Sequence, residues 1–233
     1  MDSHSSTKVI KNENREAGEK MKKTIITIII LVVVIILGLI AYSAFFSSKV
    51  PQAFIDKHNE TFTLAKDAEQ LSDLTSMPEM NSLDNQMKSE DYNGALKSIE
   101  AALNRKKEAA SKLKSIDSGL TELSILSAKI SNAKIKTSAD KFIDMSKKEN
   151  AVKTAYNNLQ IKMLEKTKEM VGILAKSKTI TPADTTAING LVKQIGDLEK
   201  QVAAAEKEVN DVQSQYKGME KEFFGLAGLE IIK

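Results

Sequence analysis

The chain has no cysteine, no tryptophan and only three prolines, and aromatic residues make up 5 % of it. Each shortage excludes something. Without cysteine there is no disulfide framework, no thiolate metal site and no lipidated cysteine behind a signal sequence, so any domain outside the cytoplasm must be held by packing alone. Without tryptophan and with few other aromatics, the chain lacks the stacking platforms that single-stranded nucleic acid and carbohydrate recognition tend to use. Sparse proline leaves room for long helices, because each proline removes a backbone donor and disfavours helix in the residue before it. The two histidines, His4 and His58, have no neighbouring cysteine or second histidine with which to hold a metal.

What the chain does have, first, is one long apolar run. Residues 24–46, TIITIIILVVVIILGLIAYSAFF, carry no charge. As a helix they are long enough to cross the roughly 30 Å hydrocarbon core of a bilayer. Lys11, Arg15, Lys20, Lys22 and Lys23 precede the run, whereas only Lys49 and Lys57 follow it closely. By the positive-inside rule the N-terminus stays in the cytoplasm. The sequence therefore predicts a single-pass plasma-membrane protein: a cytoplasmic tail 1–23, a signal-anchor helix 24–46 in the lipid bilayer, and an extracytoplasmic part 47–233. A cleaved signal peptide starting at Met21, with Ala41-Tyr42-Ser43 as the processing region, is the competing reading. The apolar run is longer than the roughly 7–15 residues usual for such peptides, which favours the anchor.

The net charge of +3 says little about partners, because the tail before residue 24 contributes six basic and four acidic residues and leaves the remainder near neutrality, at +1. Charges beyond the span are interspersed, so no nucleic-acid surface is expected.

Periodicity predicts an all-α outer part. Helices are expected over about 51–75, 91–132, 138–178 and 182–224. The last has the best-marked start, with Thr181 as N-cap, Pro182 at the first helical position and Asp184 in the first turn. From Ile188 through Leu191, Ile195, Leu198, Val202, Ala205, Val209, Val212, Tyr216 and Met219 to Phe223, apolar residues recur at alternating spacings of three and four, a coiled-coil seam. The segment 91–132 keeps one phase across Gly119 and reads as a single helix. The segment 138–178 is weaker, since Glu149 and Lys166 fall on its seam. Three long segments of matched length with short connections predict an antiparallel three- to four-helix bundle of coiled-coil type. The short first helix covers about two-thirds of it, and the polar stretch 76–90 either climbs the rest or leaves it to an upward extension of helix one. Pairing about a turn near Ile135 puts Lys106 and Lys166 in nearly the same layer, with Glu60 and Glu199 as carboxylate partners and a hydrated rather than dry core at that level.

Local patterns carry little chemistry. Residues 89–100, SEDYNGALKSIE, place Asp91, Asn93, Gly94, Leu96 and Glu100 on the template of a calcium-binding loop. Ser89 is a poor first ligand, Lys97 puts a cation where a ligand belongs, and no second loop exists, so a capped helix start is the simpler reading. Met145, Met163 and Met170 suit gap-filling in a core. His58 reads as a surface or seam residue. Asn59-Glu60-Thr61 fits the glycosylation pattern, a cheap match. There is no Gly-rich phosphate loop, no GxSxG and no HExxH, and no nucleophile, base or metal set converges by spacing. No catalytic, cofactor-binding or metal residue is assigned, and no enzyme activity is expected.

The expected function is that of a membrane-anchored envelope interaction or scaffold module, whose partner is another envelope protein or a second copy. The alternatives are a ligand- or partner-sensing ectodomain of a signalling complex, and a secreted helical surface protein if the N-terminal segment is cleaved. A lone N-terminal span with a helical bundle outside is similar in architecture to the LemA-type envelope proteins. The sequence motifs of that family are missing from this chain.

Overall fold

A computed structural model describes residues 49–73, 77–176 and 179–229. The chain divides between Ser48 and Lys49 into two units, and every described residue belongs to the second. The tail 1–23 and the apolar run 24–46 lie outside the described residues. Among the described residues no helix is long and apolar enough to cross a membrane.

Five helices and no strand make up the described residues: α1 Gln52–Ser72, α2 Pro78–Lys88, α3 Tyr92–Ser127, α4 Ala133–Lys176 and α5 Pro182–Ala227. Their ends follow local chemistry. Thr181 accepts a hydrogen bond from the Asp184 N–H while the Asp184 carboxylate accepts from the Thr181 N–H, closing a capping box ahead of Pro182. Gly228, left-handed at φ 70, ends α5. Asp91 accepts from the Gly94 N–H at 2.9 Å and starts α3. α4 begins at Ala133 rather than at 138, because Asn132 Oδ1 accepts from the N–H groups of Lys134 and Ile135 and caps it there.

The polar stretch 76–90, to which periodicity assigned no helix, is mostly α2. Met80, Leu83 and Met87 sit at helical spacing and pack into the core beside Met77. Eleven residues are too short to be stable as a helix in isolation. Docking on α3 supplies the missing stability, with Ser98 Oγ donating to Gln86 Oε1 at 3.0 Å and Arg105 lying 3.9 Å from Glu79.

Cross-helix bonds set the directions. Along α3 and α4, Ser127 meets Asp140 at 2.7 Å, Leu113 O accepts from Asn150 at 3.0 Å, Lys106 O accepts from Asn157 at 3.0 Å and Glu100 meets Lys168 at 3.3 Å. Numbers fall on one helix as they rise on the other, so the pair is antiparallel. α1 is antiparallel to α3 by the same logic, through Lys57–Glu122 at 2.9 Å and Lys112–Asp67 at 3.0 Å. α1 thus covers the C-terminal part of α3 and α2 covers its N-terminal part. α5 packs along α4, and near its C-terminal end reaches α1 through Phe223 and Phe224.

Two separate apolar cores result. One gathers Phe54, Leu120, Leu123, Phe142, Phe223 and Phe224. Phe142 stacks on Phe223 with centroids 5.4 Å apart and also meets Tyr216 at 5.5 Å. The other gathers Met77, Ile99, Leu103, Leu164 and Val171.

The α5 seam is less buried than its regularity suggests. Leu191, Val212 and Phe223 are buried, while Ile188, Ile195, Leu198 and Val202 are only half-buried. A heptad pattern states which face is apolar, not whether a second helix covers it. Leu198→Ala is therefore expected to cost about 1 kcal/mol rather than a core value, while Phe142→Ala costs roughly 3–5 kcal/mol. Urea unfolding midpoints of the two variants check the ordering.

Gly119, buried in α3, marks the closest approach of α1. A Cβ there would lie 2.4 Å from Thr61 Oγ1, and that hydroxyl is fixed by donating to Lys57 O at 2.8 Å. Ala in place of Gly in a helix normally gains about 1 kcal/mol. Here Gly119→Ala is expected to lower the melting temperature despite that gain, and Thr61→Ala in the same chain to restore it.

Candidate functional site

Between the two apolar cores lies a polar layer. Lys106 is fully buried, 0 % exposed, and its ammonium donates to the backbone carbonyl of Ser72 and to Gln160 Oε1. Ser72 is the last residue of α1, so its carbonyl is one of the acceptors that a helix end leaves without an intrahelical partner. A lysine from α3 thereby ties the end of α1 to α4. Burial pushes the Lys106 ammonium down to about 8, against the opposing pull of nearby Asp73.

This layer corrects the expected lysine pair. Lys166 is half-exposed and bonded to Glu169 at 2.9 Å, and the residue at the level of Lys106 is Gln160. The offset is about six residues along α4, less than two helical turns, because the α3–α4 turn lies slightly before Ile135. The expected carboxylates are elsewhere too: Glu60 pairs with Lys57 at 2.7 Å, and Glu199 is exposed.

Below Lys106, α1, α3, α4 and α5 leave a cavity of about 390 Å³, within the range of ordinary small-molecule pockets. Each wall is one helical face. α1 contributes Ala65, Ala68, Glu69 and Ser72, and Asp73 follows directly after its end. α4 contributes Ser146, Glu149, Asn150, Lys153, Tyr156 and Gln160. α3 adds Leu113 and Ile116, and α5 adds Glu206, Val209, Asn210 and Gln213. The cavity lies beside the level at which a hydrated layer was expected, and its walls include apolar patches.

Its electrostatics are negative. Glu69, Asp73, Glu149 and Glu206 border it, against Lys153, which is 2.8 Å from Glu149, and Lys106 behind the wall. The Tyr156 phenol is held above its usual range, first by burial and then by the charges of Glu206 and Asp73. The neighbouring Glu220 carboxyl is raised by burial, and Glu149 adds to the rise. Two buried acceptors between α3 and α4 have no partner: Asn150 and Asn157 each give their amide N–H to a carbonyl of α3, and the Oδ1 of each is unbonded. Chemically the arrangement offers acceptors and negative charge beside aliphatic wall.

The residues singled out from sequence lie elsewhere. His58 is buried among aromatic rings, 5.1 Å from Phe224 and 5.7 Å from Phe142, and desolvation lowers its pKa. His4 lies outside the described residues. Helix α3 runs from Tyr92 straight through Asn93, Gly94 and Glu100, so the residues of the calcium template form a capped helix start instead. Thr61 is buried inside α1, which leaves Asn59-Glu60-Thr61 in a helix rather than a loop. Met170 packs against the second core. The cavity itself was missed, although half of its signal was present: Ser146, Glu149, Asn150, Lys153, Asn157 and Gln160 form a polar stripe of helical period along α4.

Compared with known protein families, with characterised proteins and with solved structures, the chain matches none.

The lowered pKa of Lys106 has a measurable sign. The ordinary value is 10.5, so between about 8 and 10.5 the unfolded chain binds more protons than the folded one, and stability rises with pH across that window. Relative to Lys106→Met, the parent should gain on the order of 2 kcal/mol from pH 7.5 to pH 10, measured by urea unfolding of both chains at each pH. A pH-independent difference would mean that the two carbonyl partners hold the ammonium at its ordinary value.

Proposed function

We propose that this protein is a single-pass, membrane-anchored interaction module of the cell envelope that performs no catalysis and works by self-association through its α4–α5 hairpin. Residues 24–46 are the anchor, 1–23 face the cytoplasm, and the helical unit from Lys49 onward is extracytoplasmic. The apolar run and its basic N-terminal flank support the anchoring. The observation that carries the association is the open α5 seam, where Val192 is 53 % exposed beside the half-buried Ile188, Ile195 and Leu198.

A second copy is favoured as the occupant by charge. α4 carries ten lysines against five acidic residues, whereas α5 carries five lysines against eight acidic residues. An α5 seam bordered by Glu199 and Glu208 is complementary to the basic α4 of another copy, and a two-fold pairing of hairpins covers both seams. A sensing ectodomain is the second reading, favoured by the cavity, since a scaffold has no need of one.

Two measurements on the full chain test this. Cysteine placed at Ser214 in the otherwise cysteine-free chain should react with a membrane-impermeant thiol reagent on cells with a permeabilised outer envelope, and cysteine at Ser6 should not. Reversed labelling would overturn the topology. In detergent, native mass spectrometry should show a dimer that Val192→Glu weakens at unchanged helical content, because that side chain is already largely exposed. A monomer at tens of micromolar would overturn self-association.

A further inference from the structure

We infer that the cavity between the two apolar cores is a binding site for a linear aliphatic di- or polyamine. The inference needs neither membrane anchoring nor pairing of copies, only the internal architecture of the helical unit.

The first observation is the unmet acceptor. Asn150 is 7 % exposed, lines the cavity, and is fixed by its amide donating to Leu113 O at 3.0 Å, so its Oδ1 is an oriented acceptor without a donor. Leaving a buried acceptor of this kind without a donor is destabilising. The occupant therefore carries N–H or O–H groups.

The second observation is the distribution of charge. Glu69 comes from α1 and Asp73 from the residue just past its end, Glu149 from α4 and Glu206 from α5, opposed by the ammoniums of Lys153 and Lys106. The surplus is negative, so the donors of the occupant are cationic. Among the described residues no three carboxylates or histidines lie close enough together to hold a metal ion. Negative charge spread over three walls suits an occupant whose positive charges are separated in the same way. It does not suit a compact ion.

The third observation is the wall between the charges. Ala68, Leu113, Ile116 and Val209 give it aliphatic surface, and Tyr156 adds an aromatic face. Methylene segments belong against the former, and an ammonium is attracted to the latter. Lys106 already shows the principle within the protein: a four-carbon stem buried between helices, ending in an ammonium held by oxygen acceptors. The volume of about 390 Å³ accommodates a chain with more than one such unit.

Spermidine and putrescine are the probes, added to the full chain in detergent, with sodium chloride and magnesium chloride at matched ionic strength as controls. Titration calorimetry should give saturable binding of spermidine near one per chain, with a rise in melting temperature that the salts do not reproduce. Glu69, Asp73 and Glu206 stand at the exposed rim, so affinity should fall as salt rises. Ala65→Leu, which fills the cavity with apolar volume, should abolish binding. Glu206→Gln, at an exposed position that cannot unfold the protein, should weaken it about three- to tenfold. Absence of saturable binding to the parent would overturn the inference, as would binding that Glu206→Gln leaves unchanged. If Ala65→Leu gives no cooperative melt, the Glu206→Gln arm decides by itself.

Discussion

The ammonium of Lys106 has to be satisfied inside the protein, and the way it is satisfied organises everything around it. A charge with no exposed surface is tolerated only where oxygen acceptors surround it. It finds them in the last carbonyl of α1 and in the side chain of Gln160. The first acceptor brings the end of α1 to the level of Lys106. The second, together with Asn150 and Asn157 bonded to α3 carbonyls, locks α4 against α3 in one register. Apolar contacts alone would permit neighbouring registers at small cost, whereas a one-turn slip here would strand several buried polar groups together.

That polar layer splits the interior. Below it α1, α3, α4 and α5 converge on a ring cluster in which Phe142 touches Tyr216, Phe223 and Phe224. Above it α2 takes over from α1 along α3, with Met77, Ile99, Leu103, Leu164 and Val171 at the contact. The cavity lies next to the polar layer for a physical reason. Ala65 and Ala68 on α1 and Ser146 and Asn150 on α4 are small, and neither wall fills the space that a leucine pair would.

On the reading proposed above, the interior and the surface of the helical unit serve the same end, contact with other molecules. The interior holds acceptors and negative charge beside aliphatic wall, which is the chemistry of binding. The surface keeps a regular apolar seam half open on α5, beside a helix of opposite charge.

By itself the sequence determined the all-helical character, the cap at Thr181, the continuity of α3 through Gly119 and the apolar face of α5. Each follows from spacing or from capping chemistry within a few residues, and such information is local. It also marked Lys106, Glu149 and Lys166 as misfits on otherwise apolar seams. Only the tertiary structure decided what became of them: Lys106 was buried and bonded, Glu149 joined a cavity wall, and Lys166 turned outward to Glu169. It also decided that α2 is a helix, since eleven residues with three apolar contacts fold only when a neighbour receives them. The cavity belongs to no single segment. It exists because faces from four helices meet at one level, and the offset of less than two turns between expected and actual register was enough to hide which side chains would share it.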